Sequence, residues 1–441
     1  MNIVYMHTHD TGRYIQPYGH AVPTPNLQAF SEEGLLFRHA YCAGPTCSPS
    51  RTSLLTGMCP HTNGMIGLAH RGFAMKDPSR HLGAFLRQNG YETALSGMSH
   101  EGEVIFEKCY DRVLTEHFPG GPDQADLEDR ANSKNAAEFI LSRSPSDRPF
   151  FLSFGMRHTH RPFNKNLGDV KPQYVVPPSP LADNARNRED MAEFTASAKV
   201  MDECVGVVLD ALRQSGLDKD TFVFFTTDHG IAFPFMKCSL YDAGIGVSLI
   251  MRYPGLKRQG EATDALVSHL DVFPTLCDLI GLDKPGWLEG RSMLPILNGE
   301  SEKIRDEIFS EVTFHAAYEP KRCIRTERYK LIRRYDEHDS VVPANIDAGL
   351  SKEHVVEHGL LANELDRVML FDLALDPNER QNLIGNPAYR EIGNELSRRL
   401  DGWMEETRDP LLKGKVPKPP GAKVNRLDCL EPNETDFEDP E

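Results

Sequence analysis

The sequence predicts an α/β fold: a large, mostly parallel sheet flanked by helices, followed by a smaller C-terminal α+β unit. Three observations predict it. Continuously apolar strand segments alternate with amphipathic helices over roughly the first three hundred residues, the pattern of a sheet covered on both faces. Polar and ionisable residues collect just after several of those strands. Beyond about residue 305 the pattern changes to strands joined by turns.

In order, "NIVYM" reads as a buried strand, followed by a helix over Pro25–Glu33 with Thr24 as N-cap and Gly34 as stop. "CSPSRTSLLTG" (47–57) reads as a helix, with Ser48 a candidate N-cap, Pro49 in its first turn and Gly57 closing it. A helix over "RHLGAFLRQNG" precedes the strand "ETALSG", and "PFFLSFGM" (149–156) is a continuous apolar strand. A long helix from about Asp190 to Gln214 carries Phe194, Met201, Val205, Val208, Leu209 and Leu212 at helical spacing. "TFVFFTT" and "VSLIMRYPG" are the next strands. "EIFSEV", "KRCIRTERYKLIRRY" and "VMLFDLALDPNER" read as antiparallel strands, and a final helix around Tyr389–Thr407 offers one apolar face. The expected division is 1–305, 306–408 and an irregular tail over 409–441, which wraps the surface or contacts a partner and makes a homodimer plausible.

The net charge of −16 argues against a nucleic-acid partner. It leaves room for an anionic substrate held in a local cationic pocket. No apolar run approaches a membrane span, and no signal peptide is visible, so a cytoplasmic location is expected. The nine cysteines are scattered without a CxxC pair, the pattern of reduced thiols.

In an open parallel sheet, ligands sit beyond the carboxyl ends of the strands. "NIVYM" ends in His7, His9 and Asp10, and "ETALSG" in His100 and Glu101. "PFFLSFGM" ends in Arg157, His158, His160 and Arg161, and "TFVFFTT" in Asp228 and His229, with Lys237 following. Singly, each has a bland reading as a cap, a turn or a solvated side chain. Together they place metal-ligating and cationic groups at equivalent positions of one sheet. Asp10, Asp228, His9 and His229 can form one divalent-cation site; carboxylates suit a hard cation, and imidazoles pull toward manganese or zinc. Arg51, Lys237, His100 and His160 would surround an anion, an arrangement suited to sulfuryl or phosphoryl transfer. A thiol at a helix start is also a candidate nucleophile in its own right.

"CSPSRTSLLTG" resembles the sulfatase signature C-x-P-x-R followed by T-G. The likeness extends through "TPNLQAFSEEGLLFRHAYC", "TTDHG", "KCSLYDAGIGVSLIMRYPG", "HLDVFPTLCDLIG", "RTERYKLI" and "LFDLALDPNERQNL". "CPHTNGMIGL" and "GIAFP" are similar to the branch containing heparan N-sulfatase. The resemblance implies an alkaline-phosphatase-like fold and a sulfuric ester hydrolase. It implies that a formylglycine-generating enzyme oxidises Cys47 to formylglycine, whose hydrate attacks sulfur. By motif match, Asp10, Asp228 and His229 resemble metal ligands, with His9 beside them. Arg51 resembles the arginine holding the hydrate, and His100 the histidine assisting its collapse. His160 and Lys237 resemble the pair on sulfate and leaving group. His160 is preferred to His158, because it stands before the x-P pair Arg161-Pro162.

Two departures matter. His9 stands where the family has a first aspartate; calcium, the family's usual metal, stays the leading expectation, with manganese or zinc admitted beside it by His9 and His229. Met98 stands where the family has a lysine, so Arg157 or Arg161 is expected to bind substrate in its place. The leading expectation is hydrolysis of a sulfate ester or N-sulfo group on a carbohydrate or small molecule. A phosphonate monoester or phosphodiester hydrolase of the same superfamily and a non-catalytic binder of sulfated glycans are the alternatives.

Overall fold

The computed structural model describes residues 1–118, 120, 123–432 and 437; the rest of the expected tail lies outside the described residues. In chain order the strands are β1 (Asn2–Thr8), β2 (Leu35–Phe37), β3 (Ala40–Tyr41), β4 (Glu92–Gly97), β5 (Arg112–Val113), β6 (Phe150–Gly155), β7 (Thr221–Thr227), β8 (Gly246–Val247), β9 (Leu249–Arg252), β10 (Glu261–Thr263) and β11 (Val267–Ser268), then β12 (Glu307–Phe314), β13 (Tyr318–Thr326), β14 (Tyr329–Arg334) and β15 (Val368–Asp372). The large sheet runs β10-β2-β9-β7-β1-β6-β4-β5, and a three-stranded sheet runs β11-β3-β8. The block β7-β1-β6-β4-β5 is wholly parallel. β9, from "VSLIMRYPG", is antiparallel to both of its neighbours.

β1 is apolar along its length because it has no solvated face. Ile3 and Tyr5 join Phe151, Phe222 and Phe224 in one core, while Val4 and Met6 join Leu152, Phe154, Val223 and Phe225 in the other. The pleat sends alternate side chains to opposite faces, and helices cover both. In-register pairing sets His7 level with Gly155 and Thr226. The residues that follow these strands therefore leave the sheet at one edge, side by side.

Two expected caps differ. Thr24 makes no side-chain cap; its hydroxyl accepts from Gln16 N at 2.9 Å. Asp202 instead caps the helix Pro25–Glu33 from the long helix, accepting from Asn26 N at 3.0 Å and Leu27 N at 2.9 Å. A carboxylate there satisfies two orphan donors and meets the positive helix end. The long helix spans Ala185–Ser215, starting before Asp190 because the Asn184 side chain accepts from Asn187 N and fixes the N-terminus.

The C-terminal sheet is the antiparallel series β12-β13-β14-β15. The helix Arg390–Glu406 lays Leu396, Leu400 and Met404 against Ile324, Leu331 and Leu370. The chain beyond it packs back on the body: Val416 and Val424 are buried, and Lys423 N donates to Arg71 O at 2.8 Å. A buried ionic cluster joins the C-terminal sheet to the short helix Pro60–Asn63. Glu311 on β12 accepts from His61 Nδ1 at 2.6 Å and Arg322 Nε at 2.9 Å, and Arg322 also forks onto Asp409.

Candidate functional site

The helix Cys47–Thr56 is buried throughout and points its N-terminus at the carboxyl ends of β1 and β7. Its N-cap position is Thr46, not Ser48; the Ser48 hydroxyl accepts from Ala69 N at 3.0 Å instead. Gly57 closes the helix in the left-handed conformation, as expected. Ser50 donates to Asp228 O at 2.5 Å, tying the helix to the end of β7.

Four donor atoms converge where β1 and β7 end. His9 Nδ1 lies 2.9 Å from Asp10 Oδ1 and 3.2 Å from Asp228 Oδ2. His229 Nε2 lies 3.3 Å and 3.6 Å from those same oxygens. Cys47 Sγ joins His9, Asp10 and Asp228 within a 4.8 Å span. Among the described residues the buried His229 Nε2 has no hydrogen-bond partner, an unmet need that a metal ion would satisfy. Two imidazoles and two carboxylates in one buried cluster fit a divalent metal, and that donor set suits manganese or zinc better than an all-oxygen calcium cage. Burial alone would raise Asp10; Lys237, His160 and His229 outweigh it and hold its carboxyl well below the usual range. Asp10 and His100 sit at positive φ, 54° and 70°. Backbone strain of this kind persists where surrounding structure fixes a functional side chain.

Arg51 is fully buried and fixed on three sides. Its NH1 lies 2.5 Å from His7 Nδ1, and its NH2 donates to Thr8 O at 2.7 Å and Asp228 Oδ2 at 3.0 Å. Burial and Arg51 itself push His7 well below its ordinary value, so the ring is neutral and accepts. Burial pushes the Cys47 thiol well up; Lys237 opposes and the two aspartates add to it. The helix-start field does not produce a thiolate here, because desolvation outweighs it.

His100 Nδ1 stands 3.3 Å from His9 Nε2, and its Nε2 stands 3.1 Å from His70 Nδ1. Two glycines allow this approach. A Cβ on Gly97, at φ +81°, would lie 2.0 Å from Gly155 O, and one on Gly155 would lie 1.9 Å from Met98 O. His160 places Nε2 3.9 Å from Asp10 Oδ2 and sets its ring edge-on to His9. His158 is locked away from the cluster by Asp129 at 2.7 Å and Asp126 at 2.9 Å, which against its burial push it up to about 9. Lys237 Nζ donates to Asp10 Oδ2 at 2.8 Å and to Asp347 Oδ2 at 2.7 Å.

A cavity of about 430 Å³ opens over this cluster, lined by His9, His70, Met98, His100, Arg157 and His160 among others. Arg157 is 44% exposed, pairs with Glu128 at 2.9 Å and stands in the cavity lining. Arg161 also lines this cavity, and its guanidinium is engaged by the surrounding scaffold. Its Nε donates to Ala232 O, its two terminal nitrogens fork onto Asp190 at 2.7 Å, and its guanidinium lies over Phe163 and Phe233. Those contacts fix the guanidinium's orientation at the cavity wall. Sequence reading missed His7's hold on Arg51, His70 and Asp347. His7 carried a signal in its strand-end position; His70 and Asp347 lie in segments without any motif.

Glu101 follows His100 into the interior, 4.0 Å from His81 Nε2, and among the described residues its Oε2 has no hydrogen-bond partner. Burial raises its carboxyl to about 8, with Arg51 opposing. The proton is bound more tightly in the folded state. Its stabilising contribution is therefore full below the unfolded value of 4.5 and is lost as pH rises through about 8. Melting Glu101→Gln beside the parent at pH 5 and pH 9 should show the variant gaining on the parent by on the order of a few kcal/mol at the alkaline end. An identical difference at both pH values would refute this.

Residues 1–282 match the family model described as Sulfatase, and residues 228–345 match that described as N-sulphoglucosamine sulphohydrolase, C-terminal. Human N-sulphoglucosamine sulphohydrolase is 30% identical over 88% of this chain and 87% of its own. The solved structure of a 2-O GAG sulfatase superposes with TM-score 0.72 at 23% identity, covering 97% of each chain. The phosphonate monoester hydrolase of Agrobacterium radiobacter superposes with TM-score 0.71 at 20% identity, covering 95% of this chain and 100% of that one.

Proposed function

Since the chain belongs to the sulfatase family and is a sulfuric ester hydrolase, we propose that it removes a sulfate ester or N-sulfo group from a sulfated carbohydrate. The nucleophile is made from Cys47 by oxidation to formylglycine, with one divalent metal beside it. The observation that carries this reading is the meeting of Cys47 with His9, Asp10 and Asp228 within 4.8 Å, ringed by Arg51, Lys237, His100 and His160. His9, Asp10, Asp228 and His229 would hold the metal, with manganese or zinc ahead of calcium. The formylglycine hydrate supplies an oxygen nucleophile, and the metal supplies positive charge beside it.

The chain's own groups have separable tasks. Arg51 cannot move, so it holds the nucleophile with no reorganisation. Lys237 presents a cation where the sulfuryl oxygens gather charge. Burial, reinforced by Arg51, keeps His100 neutral, ready to accept a proton from the nucleophile. His160 faces the leaving group at the open side. The cavity has the volume of a small saccharide, and the human relative's name points to glucosamine N-sulfate.

A second reading is favoured by Met98, which lines the cavity half-buried. A phosphonate monoester presents two non-bridging oxygens and a carbon substituent, and a thioether suits that carbon. One experiment separates the readings. Enzyme stripped of metal and reloaded with Ca²⁺, Mn²⁺ or Zn²⁺ is assayed on glucosamine N-sulfate, 4-nitrophenyl sulfate and an aryl phosphonate. Sulfate turnover restored best by Mn²⁺ or Zn²⁺ is expected. A larger kcat/KM for the phosphonate would select the second reading, and binding without turnover would leave a glycan binder.

A further inference from the structure

We propose that Asp347 is a positioning residue for Lys237, through which the C-terminal unit completes the catalytic site of the large sheet. The proposal rests on the reading that Lys237 meets the sulfuryl oxygens. An ammonium carries three donors. In Lys237 one goes to Asp10 at 2.8 Å and one to Asp347 at 2.7 Å, on a side chain only 3% exposed. With two donors pinned to opposite carboxylates, the third has one direction left. Asp10 belongs to the metal cluster, so Asp347 is the anchor that does not share its charge with the metal. Among the described residues, Lys237 is also the one hydrogen-bond partner of Asp347. A carboxylate that is 85% buried would be costly to keep without that partner.

The loop carrying Asp347 is held from both units. Asn345 accepts from Ala317 N at 2.9 Å and donates to Glu319 at 3.0 Å. Gly349 lies flush on Arg161, where a Cβ would come within 2.3 Å of a guanidinium nitrogen. Ser351 N donates to Asp190 Oδ2 at 3.1 Å, the carboxylate that also clamps Arg161. Lys352 Nζ donates to Ile346 O at 2.9 Å. Arg161 and Asp190 thus seat a C-terminal loop against the catalytic sheet and set where Asp347 meets Lys237.

A double-mutant cycle on glucosamine N-sulfate tests this. Asp347→Asn, which keeps the side-chain shape, should lower kcat roughly 10–100-fold with KM little changed and the melting curve unmoved. Asp347→Glu should recover part of the loss. In a Lys237→Ala background, Asp347→Asn should change kcat less than about 2-fold, because its route to the reaction is gone. A silent Asp347→Asn in the parent, or an equal loss in both backgrounds, overturns the proposal while leaving the role of Lys237 intact. A Lys237→Ala variant with parental kcat/KM overturns the role of Lys237, and the positioning with it.

Discussion

Cys47→Ala abolishes turnover of every sulfated substrate, by on the order of 10⁴–10⁶-fold, and leaves the fold unchanged. On the proposed mechanism, the substitution removes the thiol whose oxidation, with loss of sulfur, gives the formylglycine aldehyde. The remaining cluster of His9, Asp10, Asp228 and His229 is untouched, since Cys47 makes none of its close contacts. The thiol itself is no substitute, because burial holds it protonated well above neutral pH. The check has two parts. Steady-state kinetics on glucosamine N-sulfate measure the loss. Mass analysis of the parent's Cys47 peptide, from a host with the modifying enzyme, should show sulfur and two hydrogens replaced by one oxygen. Full activity in Cys47→Ala, or an active parent with an unmodified thiol, would defeat the formylglycine mechanism.

Glu311→Ala unfolds the protein far more readily, with a loss of about 3–5 kcal/mol. Glu311 is the shared acceptor for His61 and Arg322, and both side chains are buried. Removing it strands two cations beside Asp409 alone, the costly way to break a buried ion pair. The Glu311 carboxylate also accepts from His61 N at 2.6 Å, so the substitution frees a backbone donor of the first unit as well. The urea midpoint should fall, while activity persists in the fraction still folded. Burial opposes ionisation of Glu311, but Arg322 and His61 hold it down at about 2. Its contribution is therefore full above pH 4.5 and is lost as pH falls toward 2. His61 is raised despite burial, by Glu311 first, so its contribution is full below 6.5 and is lost as pH rises through its raised value. The deficit of Glu311→Ala should be largest between those limits. A deficit that did not shrink in acid would contradict the ionic account.

Much of the site was legible because its residues follow strands. "HTHDTG", "MSHEG", "RHTHRP" and "TTDHG" each follow a run with no polar face. A parallel sheet in register must bring such ends together, as β7-β1-β6-β4 does. The clamp on Arg161 was not legible, because its partner Asp190 lies 29 residues on, on the long helix. Thr24 was misread as a cap because Asp202, 176 residues away from Asn26, is the better acceptor.

The sequence by itself determined the two-sided sheet, the edge where the chemistry sits, and the cluster of His9, Asp10, Asp228 and His229 at that edge. Each of these depends on local pattern and on the order of strands along the chain. Only the tertiary structure decided which partner holds each cation. His7 on Arg51, Asp190 on Arg161 and Asp347 on Lys237 are partnerships across 44, 29 and 110 residues. Hydrogen bonds are made in space, and where side chains so far apart in sequence converge, no local motif records it.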